Sequence, residues 1–427
     1  MTGISIVIPT LGRPTLTTLL STLATQLPGH AAAPVPGTTP APAGTTGGAA
    51  AAEAPAGLNA SADAGSAVGA GSVAAAGAAA AVAEGMSGAG KTAIVGRTPP
   101  PERTGLHGRT VLAGRTPPAG RTGPGASAGG SATPVEILVV DDRADTAEPL
   151  ELPAGLDAKV LAGRGAGPAA ARNAGWRAAS HEWVAFLDDD VVPEPGWLAA
   201  LIGDLAGAPA RAGGVQGRLR VPLPAGRRPT DWERGTAALA DGKWITADMA
   251  YRRAVLEVCQ GFDERLPRAF REDAELAFRV RQAGWDLVRG GRTVTHPVRA
   301  EDRWVSVRQQ RGNADDALLR RLYGPDWRHL LDIPPGRRAR HAAVTAAGAL
   351  TLLALAARRP RVAALTGALW AAGTAEFAAA RVMPGPRTPR EITTMLLTSA
   401  AIPPVAITWW LRGWTRWRGA DRLESAR

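Results

Sequence analysis

The sequence predicts an α/β fold, a mostly parallel sheet flanked by helices, with a C-terminal hydrophobic helical region appended. Three observations carry this. Apolar runs at 4–8, 135–140 and 184–187 are each the length of a buried strand. Helix-compatible stretches separate the later strands, the alternation expected of a parallel sheet covered on both faces. From residue 337 the pattern changes to long uncharged runs at 342–357 and 392–411, with a third at 362–380 broken by Glu376 alone.

Taken in order, the first strand is expected over Ile4 to Ile8, closed by Pro9, and a helix over 14–27 with Pro14 tolerated in its first turn. Residues 31–133 are dominated by Ala, Gly, Pro, Thr and Ser. Such a stretch buries too little apolar surface to offset its ordering entropy, so it reads as a disordered insert. Gly-Arg-Thr recurs in it at 96–98, 108–110, 114–116 and 120–122. GMSGAGKT at 85–92 satisfies a phosphate-loop pattern, but that loop needs a buried strand before it and a helix after it. Here an Ala-rich run precedes and Pro99 follows, so the match is rejected.

Order resumes at 135–140, a strand ending in Asp141 and Asp142. With the insert removed, strand, helix and strand have the spacing of an αβ unit. A third strand is expected at 159–162, then a Gly-rich turn, GRGAGP at 163–168, and a helix at 169–181. The fourth strand breaks into Asp188, Asp189 and Asp190. Strand alternation would send Asp188 and Asp190 to one side and Asp189 to the other. Two carboxylates converging at a strand end suit Mg²⁺ or Mn²⁺. A solvated acidic turn is the plain alternative. Ligands of such sheets bind beyond the carboxyl ends of the strands, where Asp141, Asp142, Asp188 and Asp190 all fall.

Composition narrows the class. The chain has 427 residues, room for one large domain or two to three ordinary ones. Its single cysteine, Cys259, excludes an intrachain disulfide framework and fits a reducing compartment. The chain opens directly on ISIVIP at 4–9, so no signal peptide is expected ahead of the first strand. The net charge is +11, but residues 337–427 hold 14 Arg against four acids, a surplus of +10. The charge therefore belongs to the tail, and no nucleic-acid partner is expected.

Five blocks, in order, resemble the family 2 nucleotide-sugar glycosyltransferases of the GT-A fold. They are SIVIPTLGRP at 5–14, ILVVDDR at 137–143, AAARNAGW at 169–176, FLDDDVVP at 186–193 and GFDERLPRAFREDAELAFRVRQAGW at 261–285. The resemblance covers about 4–30 and 134–315. It implies a transferase domain made of 1–30 and 134–330, beside the insert (31–133) and the tail (337–427) that composition sets apart. It implies a nucleotide-sugar donor contacted by Pro9, Asp141, Asp142, Arg172 and Asp188. It implies a metal, Mg²⁺ or Mn²⁺, on Asp188 and Asp190, with His296 completing the metal or diphosphate site. Asp273, beside Glu272, matches the general base, and a single displacement would invert the anomeric centre. The chemistry fits these residue types: a cation neutralises the leaving diphosphate, and a carboxylate takes the acceptor hydroxyl's proton. Each position also has an ordinary reading. Asp141 or Asp142 can cap a turn, Arg172 can pair with a carboxylate on a surface helix, and Glu272-Asp273 can start a helix.

Trp232 and Trp244 are candidates for stacking on a sugar or for core packing, and Asp248 for the donor sugar or a turn cap. RQQRGN at 308–313 lacks the tryptophan of the processive family members' signature, which argues for transfer of one sugar. In the tail, Trp409, Trp410, Trp414 and Trp417 interleave with arginines as membrane-interface residues do. The reading is a membrane-associated transferase with its catalytic domain facing the cytoplasm and a hydroxyl acceptor, lipid-linked or of the cell envelope. The competing reading is a catalytically silent, membrane-tethered scaffold with the same fold.

Overall fold

The apolar runs become the middle of one sheet. Strand β1 (Ile4–Thr10) is buried along its whole length. It pairs in parallel with β2 (Val135–Asp141) on one side and β4 (Trp183–Leu187) on the other. Strands covered on both faces need no polar alternation, which is why they read as continuous apolar runs. The computed structural model describes residues 3–27 and 133–420. The expected disorder of the low-complexity insert, and the rejected phosphate-loop pattern within it, lie outside the described residues.

Eight strands form the sheet in the order β3-β2-β1-β4-β7-β6-β8-β5, with β3 (Ala158–Ala162), β5 (Val192–Pro193), β6 (Ala212–Arg220), β7 (Asp248–Arg252) and β8 (Asp286–Thr295). The pairings make β7 and β5 antiparallel to their neighbours and leave the other six strands running one way. The carboxyl ends of β1, β2, β4 and β8 therefore share one edge. Alternation sorts the core into two faces. Ile4, Ile6, Ile8, Trp183, Ala185 and Leu187 pack beneath helix α1 (Pro14–Ala24) through Leu16, Leu19, Leu20 and Leu23. Val7, Val140, Val184 and Phe186 face the other way, under α2 (Pro168–Ala178).

Pro9 corrects a sequence expectation. It lies inside β1, buried and in register with Val140, rather than in a donor-facing loop. Pairing of β1 with β4 ends at Val7, so beyond it the strand is hydrogen-bonded on one side only. A residue without an N–H is tolerated there.

The remaining helices are α3 (Trp197–Ala206), α4 (Asp231–Ala237), α5 (Arg253–Cys259), α6 (Glu272–Gln282), α7 (Val305–Arg308), α8 (Asn313–Tyr323) and α9 (Trp327–Leu330). Helices α6, α8 and α9 enclose a third apolar cluster around Leu266, Phe278, Leu318 and Trp327. Three helices close the described chain: α10 (Arg338–Ala356), α11 (Pro360–Val382) and α12 (Pro389–Arg416). Each is long and apolar enough to cross a membrane. All three overrun the uncharged stretches of the sequence. Pro360 and Pro389 fit first turns, and Thr388 caps α12 by accepting the Glu391 N–H.

Helix α2 sits unusually close to the sheet. A Cβ at Gly175 would lie 2.2 Å from Val7 Cγ1 and 3.2 Å from Val140 Cγ2. Alanine in a helix interior normally stabilises by about 1 kcal/mol over glycine. Here the contact reverses the sign: Gly175→Ala should destabilise by about 1–3 kcal/mol, the usual cost of overpacking. Thermal unfolding of the detergent-solubilised protein should show a lowered Tm, and a raised Tm would contradict the packing described.

Candidate functional site

The shared edge collects the sequence's candidate residues, but the protein itself uses several of them. β2 ends in Asp141, whose two oxygens accept from Arg143 Nε and Nη2, each at 2.8 Å. This bidentate pairing outweighs burial, which pushes the other way, and holds the Asp141 carboxyl below its ordinary range. Asp142 folds the Gly-rich turn. One oxygen accepts the backbone N–H groups of Arg164 (3.1 Å) and Gly165 (2.8 Å), the other that of Gly167 (2.9 Å). Gly167 has φ +95°, and a Cβ there would meet Pro267 O at 2.1 Å, so the turn requires glycine. The turn-capping reading fits both aspartates, since each carboxylate accepts three hydrogen bonds from its own loop region.

The three aspartates after β4 do not alternate as a strand would. The strand ends at Leu187, and Val191 N–H to Asp188 O (3.3 Å) closes a turn. Each carboxylate therefore points its own way. Asp188 accepts from Arg172 Nη2 at 2.6 Å. Asp189 accepts from Thr10 Oγ1 (2.7 Å), Leu11 N–H (3.2 Å) and the Arg13 guanidinium, pinning the loop after β1. Asp190 turns to the end of β8, where its Oδ1 lies 3.6 Å from His296 Nε2 and its Oδ2 3.5 Å from Arg299. Asp190 Oδ2 is buried with no hydrogen-bond partner.

Arg172 is a buried bridge, not a surface helix residue. Besides Asp188 it donates to Glu272 Oε1 at 2.8 Å. Burial pushes the Asp188 carboxyl up, but the guanidinium overrides this and the net displacement is down. Glu272 is less compensated: burial and the neighbouring Asp273 charge raise its carboxyl to about 8 against the pull of Arg172. Asp273 is also raised, chiefly by burial. One of its oxygens accepts the Ala274 N–H at 2.7 Å, and the residue as a whole is half-buried. Both acids occupy the first turn of α6, where the helix dipole favours negative charge. The turn is aimed by Arg271 at φ +78°, a left-handed conformation costing roughly 1–3 kcal/mol. Its side chain is held by Asp316.

The expected metal trio is not assembled. Among the described residues no three His, Cys, Asp or Glu side chains converge as a metal site. Asp188 faces Arg172, leaving Asp190 and His296 adjacent. Two protein donors, with an Asp190 oxygen that accepts no hydrogen bond and is faced by the guanidinium groups of Arg299 (3.5 Å) and Arg13 (3.9 Å), fit a Mg²⁺- or Mn²⁺-type ion that takes its remaining ligands from phosphate and water. Asp248 is accounted for structurally: fully buried, it accepts from Arg292 Nε (2.7 Å) and Trp197 Nε1 (2.8 Å) beneath the sheet. Trp232 donates its indole N–H to Arg299 O at 2.7 Å, and Trp244 packs partly against the core.

Sequence reading missed Arg13, Arg299 and Asp189. The first two lie in short basic stretches, GRP and PVRA, and nothing in either indicates that it folds toward Asp190. On the far side of the Arg271 turn, a cavity of about 750 Å³ opens between the sheet-bearing part and the C-terminal helices. Phe270, Arg271, Phe377 and Ile402 are among its walls.

In an open α/β sheet, acids gathered beyond the carboxyl ends of the strands stand where such sheets bind their ligands. Residues 128–232 match the family model described as Glycosyl transferase family 2. The pre-mycofactocin glycosyltransferase of Mycobacterium tuberculosis is 32% identical over 133 residues, 28% of this chain. The match spans only about a quarter (27%) of that relative's length. The solved structures that align include the mannosyltransferase PcManGT of Pyrobaculum calidifontis with GDP-Man and Mn²⁺, and S. aureus TarS 1–349. PcManGT is 19% identical over 65% of this chain and 78% of its own, with TM-score 0.39. TarS is 12% identical over 98% and 92%, with TM-score 0.32.

The raised Glu272 carboxyl has a consequence for stability. The native state retains a proton that the unfolded chain releases near 4.5, so stability falls as pH rises from about 4.5 to about 8 and levels off above. Replacing the group removes this slope. Tm measured from pH 5 to 8.5 should fall less in Glu272→Gln than in the wild type; parallel curves would show that Glu272 ionises normally.

Proposed function

We propose that the protein is a metal-dependent, inverting glycosyltransferase that moves one sugar from a nucleotide-sugar donor to a hydroxyl acceptor at a membrane. The observation that carries this is the Asp273 carboxylate at the start of α6, next to Glu272, which Arg172 joins to Asp188 at the end of β4. Asp190 and His296 would hold the divalent cation, which when bound neutralises charge on the leaving diphosphate. Arg172 keeps Asp188 ionised and oriented at the donor end of the cleft. Asp273 takes the proton of the acceptor hydroxyl as that oxygen attacks, and its raised affinity for a proton suits a general base. One base on the acceptor side is compatible with a single displacement, hence inversion.

The family domain supports a nucleotide-sugar donor. The three apolar helices fit membrane association. The cavity beside Arg271 lies between the base-bearing turn and those helices, a position suited to an acceptor presented from the membrane or cell envelope. The catalytic part then faces the cytoplasm, where nucleotide sugars are made. The GT-A domain division, 1–30 with 134–330, is part of the same proposal.

The test is a thermal-shift panel of UDP-, GDP- and dTDP-sugars, with and without Mn²⁺, on the full-length detergent-solubilised protein. A donor at 100 times its Kd stabilises by about 2.7 kcal/mol. One nucleotide should raise Tm in a manganese-dependent way, and Asp190→Ala should lose that response. Asp273→Asn should keep the donor shift while transfer falls by about 10²- to 10⁴-fold, the usual contribution of a general base. No shift with any donor, in a protein shown to be folded, would favour the catalytically silent scaffold instead.

A further inference from the structure

Hydropathy counts three candidate spans, but packing treats the third differently from the first two. Helices α10 and α11 form a closed antiparallel hairpin. Thr351 Oγ1 donates to Thr366 Oγ1 at 2.9 Å, Gly348 lies against Trp370, Gly373 against Val344, and Arg337 pairs with Glu376 at the base. The 19 residues of α10 rise about 28 Å, close to the roughly 30 Å of a bilayer's hydrocarbon core. The hairpin's flanks are leucine-rich and bare: Leu352, Leu353 and Leu365 are 69%, 65% and 65% exposed.

Helix α12 is fastened at both ends to the sheet-bearing part. At its start, Glu391 accepts the N–H of Asp231 in α4 at 2.9 Å. Near its end, a Cβ at Gly413 would lie 2.4 Å from Ala314 O in α8, and Arg321 Nη2 donates to Trp414 O at 2.7 Å. Between these points Arg381, at the foot of α11, donates to Thr398 Oγ1 (2.8 Å), Ser306 Oγ (3.0 Å) and Asp231 Oδ2 (2.8 Å). At the foot of α10, Arg338 stacks on Trp410. The helix thus crosses the base of the hairpin from one foot to the other. Met395, Thr398, Ser399, Ile402 and Ala406, at helical spacing, face inward, while Leu396, Leu397 and Leu411 face out. A spanning helix has its ends on opposite sides of the bilayer, and one water-soluble body cannot hold both.

We infer that the chain crosses the membrane twice, through the α10–α11 hairpin. Helix α12 lies in the plane of the membrane surface, its outward leucines and tryptophans in the lipid interface beneath the catalytic part. This orients the protein. The hairpin tip carries three arginines, 358, 359 and 361. The base side carries nine, three each within 337–340, 381–390 and 412–418. The positive-inside rule then places the base, and the catalytic part with it, in the cytoplasm.

Membrane-impermeant maleimide labelling of sealed vesicles carrying the full-length protein tests this, in a Cys259→Ala background with single exposed cysteines. Lys159→Cys reports the catalytic part, Arg359→Cys the hairpin tip and Arg418→Cys the end of α12. Each is labelled again after detergent to prove reactivity. The expected result is Lys159→Cys and Arg418→Cys labelled from one face and Arg359→Cys only from the other. Arg418→Cys labelled from the same face as Arg359→Cys would mean three spans and overturn the inference. All three labelled from one face would mean that the hairpin lies on the membrane, and would overturn it equally. The readout does not depend on transferase activity.

Discussion

The site depends on one buried guanidinium. Arg172 is 2% exposed and holds Asp188 and Glu272 at 2.6 and 2.8 Å, so one planar fork joins the end of β4 to the start of α6. Those two elements share no backbone hydrogen bonds and lie far apart in sequence. Without the bridge, Asp188 and Glu272 would lose the shared partner that fixes their spacing and keeps Asp188 ionised. Removing one member of such a buried set leaves uncompensated charge, which costs about 3–5 kcal/mol in comparable cases. The close seat of α2 on the sheet at Gly175 belongs to the same device, because it sets how deep Arg172 reaches.

Aspartates in this protein are used as much to shape loops as to bind. Asp142 organises the Gly-rich turn with three backbone N–H groups, Asp189 pins the loop after β1, and Asp248 closes a buried network with Arg292 and Trp197. These contacts bring the loops after β1 and β3 to fixed positions beside the acids that follow β4. A cleft that must accept a charged donor needs both kinds of carboxylate, some satisfied by the protein and some reserved.

The central sheet was legible because its strands are covered on both faces and so appear as bare apolar runs. β6 was not: AGGVQGRLR has small and charged residues, and its place is set by neighbours on both sides. At the site, residue types and their edge were readable, but directions were not. The alternation argument for the three aspartates assumed a strand that stops one residue earlier, and the turn sends each carboxylate to a different partner. Pro9 was misplaced for a related reason, since a sequence cannot show that pairing on one side of β1 ends at Val7. Asp141 and Asp142 illustrate the general limit. Two acids at a strand end are consistent with a ligand or with a loop, and only the position of Arg143 and of three backbone N–H groups distinguishes them.

The tail shows the same limit at a larger scale. Hydropathy scores a helix by what it is made of, and α12 has the length and composition of a span. What it touches is decided elsewhere: by Glu391 at one end, Gly413 at the other and Arg381 between, none of which alters the apolar count appreciably. Alanine, threonine and serine on its inner face serve close packing and hydrogen bonding to Arg381, while the leucines outside supply the hydropathy. An amphipathic helix fixed in this way couples the depth of the hairpin to the position of α4 and α8, and through Arg271 and Asp316 to the turn that carries Asp273. On the proposed reading, the membrane surface and the Asp273 carboxylate are thereby held at a set distance by a continuous chain of packed elements.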